Sequence, residues 1–117
     1  MKELASLHCE QVTAKTTRLN DPEINKLLAD LSGWKIHQKD GELQLEKMFD
    51  FKDFDQAAAF TSQVAGIAAE ENHHPAILTE WGKVTVNWWT HKIKGLHLND
   101  FIMAAKTDQL YGEKNNS

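Results

Sequence analysis

The sequence is poor in cysteine, in long apolar runs and in clustered basic residues, and each shortage excludes a class of protein. Its single cysteine, Cys9, excludes an intrachain disulfide framework. No apolar run approaches the roughly 20 residues of a membrane-spanning helix. The net charge is −4 and no lysine–arginine block occurs, which argues against a surface for nucleic acid or an anionic membrane. Residues 1–8 lack the apolar centre of a signal peptide, so we expect a cytoplasmic protein.

The residues that are present have the composition of one folded domain. Hydrophobic residues make up 41% and charged residues 26% of the 117 positions, as in ordinary globular proteins. This length suits a single core, and no internal repeat or low-complexity segment divides it. We therefore predict one domain over residues 1–117, with a loose N-terminal arm at 1–18 and a loose tail at 113–117.

Three segments with helical patterning predict helices. Asp21-Pro22-Glu23 is typical of a helix start, with Asp21 as the capping side chain, and Ser32-Gly33 is expected to end that helix. Asp53 is predicted to cap a long second helix. A third helix is expected to begin near residues 97–99 and to stop at Gly112.

Four segments with a period of two predict strands, at about 34–38, 42–50, 76–80 and 83–90. Asp40-Gly41 and a second turn centred on Gly82 join them into two hairpins. Lys47 interrupts the apolar face of the second strand, so a bulge or a partly exposed edge is expected there. Hairpins separated by helices predict an α+β two-layer sandwich, a four-stranded antiparallel sheet with three helices on one face in the order α-β-β-α-β-β-α.

The second helix carries a stripe of small residues beside its apolar stripe. Its members are Ala58, Ser62, Ala65 and Ala69. Small side chains let another helix approach closely, so we predict a contact between subunits of a homodimer or homotetramer there. The alternative is that the protein packs one of its own helices against this stripe. An unpaired outer strand of the sheet offers a further place for a second subunit.

Three of the six histidines are expected to meet at one end of the second hairpin. If the hairpin turn is centred on Gly82, His74 faces Thr90, and His73 faces His91 on the neighbouring strand, about 4.8 Å away. This arrangement brings three imidazoles together, and Asp100 follows after a short loop.

Three interpretations of this cluster compete. The histidines cap and pack the hairpin end, or they bind a metal ion together with the Asp100 carboxylate, or they act as acids and bases. Adjacency argues against a metal, because His73 and His74 point to opposite sides of an extended chain. Near neutral pH an imidazole can either donate or accept a proton, which is what a dehydration needs. In that case Asp100 is expected to orient His91 and to fix its tautomer.

The spacing of these residues resembles that of the pterin-4a-carbinolamine dehydratase family. The family pattern is His-His-Pro after a helix, an aromatic residue after the proline, then a third histidine and an aspartate. This chain supplies His73-His74-Pro75, Trp81, His91 and Asp100 at the family's spacings. The resemblance covers roughly residues 19–112 and is closest in type to bacterial members.

The resemblance implies that the protein removes water from 4a-hydroxytetrahydropterin to give quinonoid dihydropterin. Such enzymes use no metal or bound cofactor, and they recycle the pterin of an aromatic amino acid hydroxylase, so phenylalanine hydroxylase is the expected functional partner. The catalytic residues would be His73, His74, His91 and Asp100, with His74 and His91 transferring protons and His73 binding the pterin. The substrate-binding residues would be Pro75, Trp81, Trp89, Thr90, Lys92 and Ile93.

One position departs from the family. Animal members carry an acidic residue four positions before the first histidine of the pair, where this chain has Ala69, and the nearest acids are Glu70 and Glu71. Some relatives also act as partners of a transcription factor or as assembly factors. The alternative function is therefore a non-catalytic protein-binding module that uses the small-residue stripe.

Overall fold

Three helices alternate with two hairpins in the computed structural model, which describes residues 4–115 and their side chains as far as Gly112. The helices are α1 (Asp21–Leu28), α2 (Phe54–Glu71) and α3 (Leu98–Asn115). The strands are β1 (Lys35–Lys39), β2 (Glu42–Asp50), β3 (Ala76–Glu80) and β4 (Lys83–Trp88). Short 3₁₀ turns occupy Leu4–Ser6 and His91–Ile93. The predicted α+β class and the order α-β-β-α-β-β-α are confirmed.

The four strands form one antiparallel sheet in the order β1-β2-β4-β3, so β1 and β3 are its two edges within the described chain. The first hairpin turns at Asp40-Gly41, where φ is 53° and 81°, as the twist of a two-residue hairpin demands. No helix in residues 4–115 is both long enough and apolar enough to cross a bilayer.

The second hairpin is shifted by one residue from the prediction. Ala76 pairs with Asn87, whereas a turn centred on Gly82 would pair Ile77 with it. The turn is the two-residue Trp81-Gly82 between Glu80 and Lys83, because that is the shortest loop that closes the ladder. If this register is continued beyond Ala76 and Asn87, His73 faces Thr90 and not His91.

The core lies between the helices and one face of the sheet. Val84, Val86 and Trp88 alternate with partly exposed neighbours along β4, as their period of two predicted. The ring centroids of Phe49 and Phe60 lie 5.0 Å apart beneath them, and both rings are buried. The indole N–H of Trp88 donates to Thr107 Oγ1 at 3.1 Å, so its polar atom is satisfied inside the core.

The predicted boundaries hold for α2 and for the start of α3, but not for the cap and the end of α1 or for the end of α3. Asp53 caps α2 by accepting from the Gln56 N–H at 2.9 Å. Asn20, and not Asp21, caps α1 in a reciprocal capping box, and α1 ends at Leu28, before Ser32-Gly33. Helix α3 continues through Gly112 to Asn115, so that glycine does not stop it. Residues 116–117 of the predicted tail lie outside the described residues.

The expected bulge at Lys47 is absent, because β2 and β4 pair in unbroken register from Leu45 to Asp50. The Lys47 ammonium lies 5.1 Å from the centre of the Phe49 ring and donates to Asp108 Oδ1 and the Ser32 carbonyl, each at 2.8 Å. A lysine can therefore sit on the inner face, because its stem covers aromatic surface while its charge reaches polar partners.

Candidate active site

The end of α2 places the histidine pair. Asn72 takes the left-handed conformation (φ 53°) that commonly ends a helix, and its N–H bonds back to Ala68 and Ala69 carbonyls. The chain then turns through His73 and His74 into β3. His73 is buried and its ring stacks on Trp88 at an interplanar angle of 7°, with centroids 5.9 Å apart. The neighbouring His74 is exposed.

Asp100 is the partner that fixes His73. Its carboxylate has no exposed surface, and Oδ1 lies 2.6 Å from His73 Nε2. The other oxygen accepts from Thr90 Oγ1 at 2.8 Å and from the His97 backbone N–H at 2.9 Å. In the His73 tautomer that carries its proton on Nε2, the ring donates to Oδ1 and gives the Asp100 carboxylate its third hydrogen bond. In this tautomer His73 Nδ1 carries no proton and can accept one. His73 also lines the cleft described below.

The first turn of α3 positions Asp100. His97 Nδ1 accepts from the Asn99 N–H at 3.0 Å, and Asp100 accepts from the His97 N–H, so two side chains satisfy backbone donors at the helix start. The same carboxylate thus begins the helix and orients the catalytic candidate. His97 is also within 3.1 Å of Glu10 Oε1 through Nε2, so both of its nitrogens have partners.

His91 is placed differently from the prediction. It begins the 3₁₀ turn after β4, its side chain is 80% exposed, and Nδ1 lies 3.5 Å from Glu42 Oε1. The expectation that Asp100 orients His91 is wrong, because the Asp100 hydrogen bonds go to His73, Thr90 and His97. The reason is the compact turn from Thr90 to Gly95, which aims His91 outwards while Thr90 faces inwards.

A cleft of about 490 Å³ lies between the histidines, the start of α3 and the N-terminal arm. Six of the predicted site residues line it: His73, His74, Trp89, Thr90, His91 and Lys92. Asp100 stands directly behind His73. The cleft therefore gathers all three imidazoles at one end of the second hairpin, as the spacing predicted.

Three predicted substrate-binding residues lie outside this lining. Trp81 is 70% exposed at the turn of the second hairpin, the end opposite His73. Ile93 is buried beneath the 3₁₀ turn, and Pro75 is half-buried at the entry to β3. The order of residues in a motif does not show which of them face a common cavity.

Sequence reasoning missed the contribution of the arm. Residues 9–12 line the cleft, together with Glu71 and Asn99, and the described part of the arm is anchored where a loose segment was expected. Glu71, and not Glu70, is the acid that faces the cleft. Glu71 and Asn99 lie close to motif residues in the chain, two residues before His73 and next to Asp100. Neither belongs to a periodic pattern that would have singled it out.

Two groups beside the cleft have shifted pKa values. Burial, with the charges of Glu71 and Asp100, raises the pKa of the Cys9 thiol from 9.0 to about 12, so it stays protonated and unreactive. Burial alone would raise the pKa of Glu71. Hydrogen bonds from the Cys9 N–H and from His8, with the charges of His8 and Lys106, instead hold that pKa below its ordinary value.

Metal ligation was the weaker interpretation of the histidine cluster. Across residues 4–115, no three histidine, cysteine, aspartate or glutamate side chains are grouped as a metal ion would require. His91 Nδ1 lies 3.5 Å from Glu42 and His73 Nε2 lies 2.6 Å from Asp100, so these two imidazoles have different carboxylate partners.

Comparison with known proteins shows the family of this chain. The family described as pterin 4 alpha carbinolamine dehydratase matches residues 17–110 of the chain. The chain belongs to the pterin 4 alpha carbinolamine dehydratase family. A Marinobacter nauticus protein provisionally named a pterin-4-alpha-carbinolamine dehydratase is 55% identical over 111 residues, which cover 95% of this chain and all of that protein. The resemblance predicted from the sequence is confirmed.

Two solved structures of similar fold extend the comparison to three dimensions. A Brucella melitensis protein described as a transcriptional coactivator/pterin dehydratase matches with a TM-score of 0.74 and 34% identity, over 82% of this chain and 100% of that one. A pterin dehydratase-like protein described as a RuBisCO assembly factor in the alpha-carboxysome matches with a TM-score of 0.58 and 25% identity, over 68% of this chain and 90% of that one. The two solved structures thus carry names from both catalysis and assembly.

Proposed function

We propose that the protein dehydrates 4a-hydroxytetrahydropterin to quinonoid dihydropterin. The observation that carries the proposal is the hydrogen bond from buried His73 to Asp100, at 2.6 Å, in the wall of a cleft that also holds His74 and His91. Membership of the pterin carbinolamine dehydratase family supports the same reaction. The pterin is the substrate, and the reaction as proposed uses no cofactor.

The reaction requires one proton to be delivered and one to be removed. The bond from carbon 4a to its hydroxyl breaks, the hydroxyl leaves as water with a proton from an imidazolium, and the N5 proton passes to a neutral imidazole. No electrons are gained or lost, so acid–base groups suffice. General acid–base catalysis of this kind contributes about 10²- to 10⁴-fold to a rate.

The assignment of roles begins from the sequence-based choice of His74 and His91 as the proton-transferring pair. Both side chains line the cleft and are exposed, so both have the freedom to exchange protons with water. The contact with Asp100 adds His73 as a third candidate. A buried carboxylate that accepts a hydrogen bond from the Nε2–H group fixes the ring and presents Nδ1 as a base, a role beyond binding the pterin.

The biological setting proposed is recycling of the pterin cofactor of an aromatic amino acid hydroxylase, with phenylalanine hydroxylase as functional partner. A cytoplasmic homodimer or homotetramer completes the proposal. The exposed small-residue stripe on α2 and the free edge strands β1 and β3 are the surfaces that support self-association.

Stopped-flow dehydration of synthetic carbinolamine tests the activity and the roles together. We expect His73→Ala, His74→Ala and His91→Ala each to lower the dehydration rate constant, by about 10²-fold for a residue that transfers a proton and less for one that only binds. His37→Ala is the matched control, because His37 lies on β1 outside the cleft. If the wild-type protein dehydrates the substrate no faster than the uncatalysed reaction, the proposed dehydratase activity is contradicted. If all three variants keep the wild-type rate, histidine catalysis is contradicted.

A second candidate function is a non-catalytic role in protein assembly. The observation that favours it is the similarity to the RuBisCO assembly factor, combined with the exposed stripe of small residues on α2. The two functions are separable by the same assay. An assembly module would show no dehydration above the uncatalysed rate, and its histidine variants would retain partner binding.

A further inference from the structure

Residues 9–12 of the N-terminal arm form one wall of the cleft and belong to no helix or strand of the fold. Residues 8–12 contact the end of α2 through Glu71 and the start of α3 through Asn99, and residues 9–12 line the cleft together with the histidines. Val12 is buried, and its carbonyl accepts from Lys92 Nζ at 3.4 Å. Since no ladder of backbone bonds fixes this segment, its position depends on individual side chains of the folded body.

Glu71 is the first of these anchoring side chains. Its Oε1 accepts from the Cys9 backbone N–H at 2.7 Å, and its Oε2 lies 2.8 Å from His8 Nδ1. The Glu71 side chain is only 11% exposed, whereas that of His8 is 80% exposed. A carboxylate that accepts from a backbone N–H makes one of the stronger hydrogen bonds available in a protein.

Asn99 is the second anchor. Its Oδ1 accepts from the Glu10 N–H at 3.0 Å, and its Nδ2 donates to the Glu10 carbonyl at 2.8 Å. The side-chain amide thus pairs with the arm as a strand would, and it is 2% exposed. Both anchors sit next to catalytic candidates in the chain, Asn99 beside Asp100 and Glu71 two residues before His73.

We propose that Glu71 and Asn99 are positioning residues that hold residues 8–12 as a substrate-binding wall of the cleft. The inference rests on the proposed function, and it assigns the wall to the side of the planar pterin ring that does not react. The reacting atoms face the histidines on the opposite side. The wall therefore contributes to binding in the ground state and the transition state alike, which affects KM and leaves kcat nearly unchanged.

Two readouts test this proposal on the full-length protein. Amide hydrogen exchange of residues 8–12 reports whether the wall is held, because the Cys9 and Glu10 N–H groups bond to side chains only. Steady-state dehydration of synthetic carbinolamine gives KM and kcat. For Glu71→Ala we expect exchange at Cys9 to quicken at least about tenfold and KM to rise about tenfold, with kcat within about twofold of wild type.

Three further variants sharpen the test. Glu70→Ala is the matched control, because Glu70 is exposed on the same turn of α2 and does not line the cleft, and it should change neither readout. Glu71→Gln keeps an acceptor for the Cys9 N–H and should restore most of the protection and of the KM. His8→Ala removes an exposed partner without risk to the core, and should shift both readouts in the same direction by less.

The outcomes separate this inference from the proposed function. Faster exchange in Glu71→Ala with an unchanged KM would show that the arm does not bind substrate, and unchanged exchange would show that Glu71 does not hold it. A fall in kcat equal to the fall in kcat/KM would place Glu71 in the chemical step instead. A wild-type protein without dehydratase activity would contradict the proposed function, and with it the assignment of the wall to a pterin.

Discussion

His73 Nε2 lies 2.6 Å from Oδ1 of Asp100, and that carboxylate has no surface exposed to solvent. The pair therefore works at low dielectric, where a hydrogen bond to an ionised group is stronger than in water. Asp100 does not line the cleft, because His73 lies between it and the cleft. Its effect on the reaction must pass through the orientation and proton state of His73.

Replacing Asp100 with asparagine is expected to lower kcat by about 10²- to 10⁴-fold, because the amide keeps the shape but can hold His73 in the wrong tautomer. Stopped-flow dehydration measures the loss, and circular dichroism checks that the fold is kept. Asp108→Asn is the control on the same helix, where Asp108 accepts from Trp34 and Lys47 away from the cleft. A kcat for Asp100→Asn within about twofold of wild type would contradict the role given to His73.

The stability of the fold should depend on pH through Glu71. Its pKa is lower in the folded state than the ordinary 4.5, so the ionised group stabilises the fold above about pH 4.5, and this stability is lost as the pH falls through the folded pKa. We expect Glu71→Gln to cost about 1 kcal/mol at pH 7 and the difference from wild type to shrink as the pH falls below about 4.5. Urea unfolding at a series of pH values measures it. A difference independent of pH, or one shared by Glu70→Gln, would rule out Glu71 as the titrating group.

The same substitution should have opposite effects at two glycines. Gly41 has φ of 81° and no neighbour that would meet a Cβ, so Gly41→Ala should cost about 1 kcal/mol from backbone strain alone. Gly112 lies within α3 and is equally unobstructed, so Gly112→Ala should add up to about 0.5–1 kcal/mol of helix stability. Thermal unfolding of both variants measures the sign. Destabilisation by Gly112→Ala would mean that α3 ends before that residue.

The small-residue stripe on α2 is tested by a bulky charge. Ala65 is exposed in the single chain, so Ala65→Arg should leave the fold intact but lower the molar mass in light scattering by disrupting subunit contacts. Gln63→Arg adds the same side chain at another exposed position of α2 and should not change the mass. Identical masses for wild type and Ala65→Arg would exclude the stripe as the contact that sets the oligomeric state.

The sequence is most informative where local rules decide the structure. Asp53 and the turn at Asp40-Gly41 specify their own backbone, so the start of α2 and the register of the first hairpin could be predicted. The predicted register of the second hairpin was wrong by one residue, because Trp81-Gly82-Lys83 is compatible with two turn centres. Val84 and Val86 share one face with either centre, so only the observed pairing of Glu80 with Lys83 shows which turn closes.

The partner of Asp100 could not be predicted in the same way. The turn from Thr90 to Gly95 contains a left-handed Lys94 (φ 53°), which no sequence rule requires of a lysine, and that turn reverses the direction of His91. The wall at residues 8–12 was also beyond prediction, because it is held by side chain to backbone bonds across the fold. Such bonds leave no periodic trace in the chain.

The double role of Asp100 limits how the loop between β4 and α3 can vary. Surface loops usually accept insertions freely. Here Leu96 is buried and its carbonyl accepts from the Leu19 N–H at 2.9 Å, so one added residue would displace the start of α3 from the end of β4. The carboxylate would then leave His73 and the helix cap together. The length of this largely buried loop is therefore under the same constraint as the residues of the site.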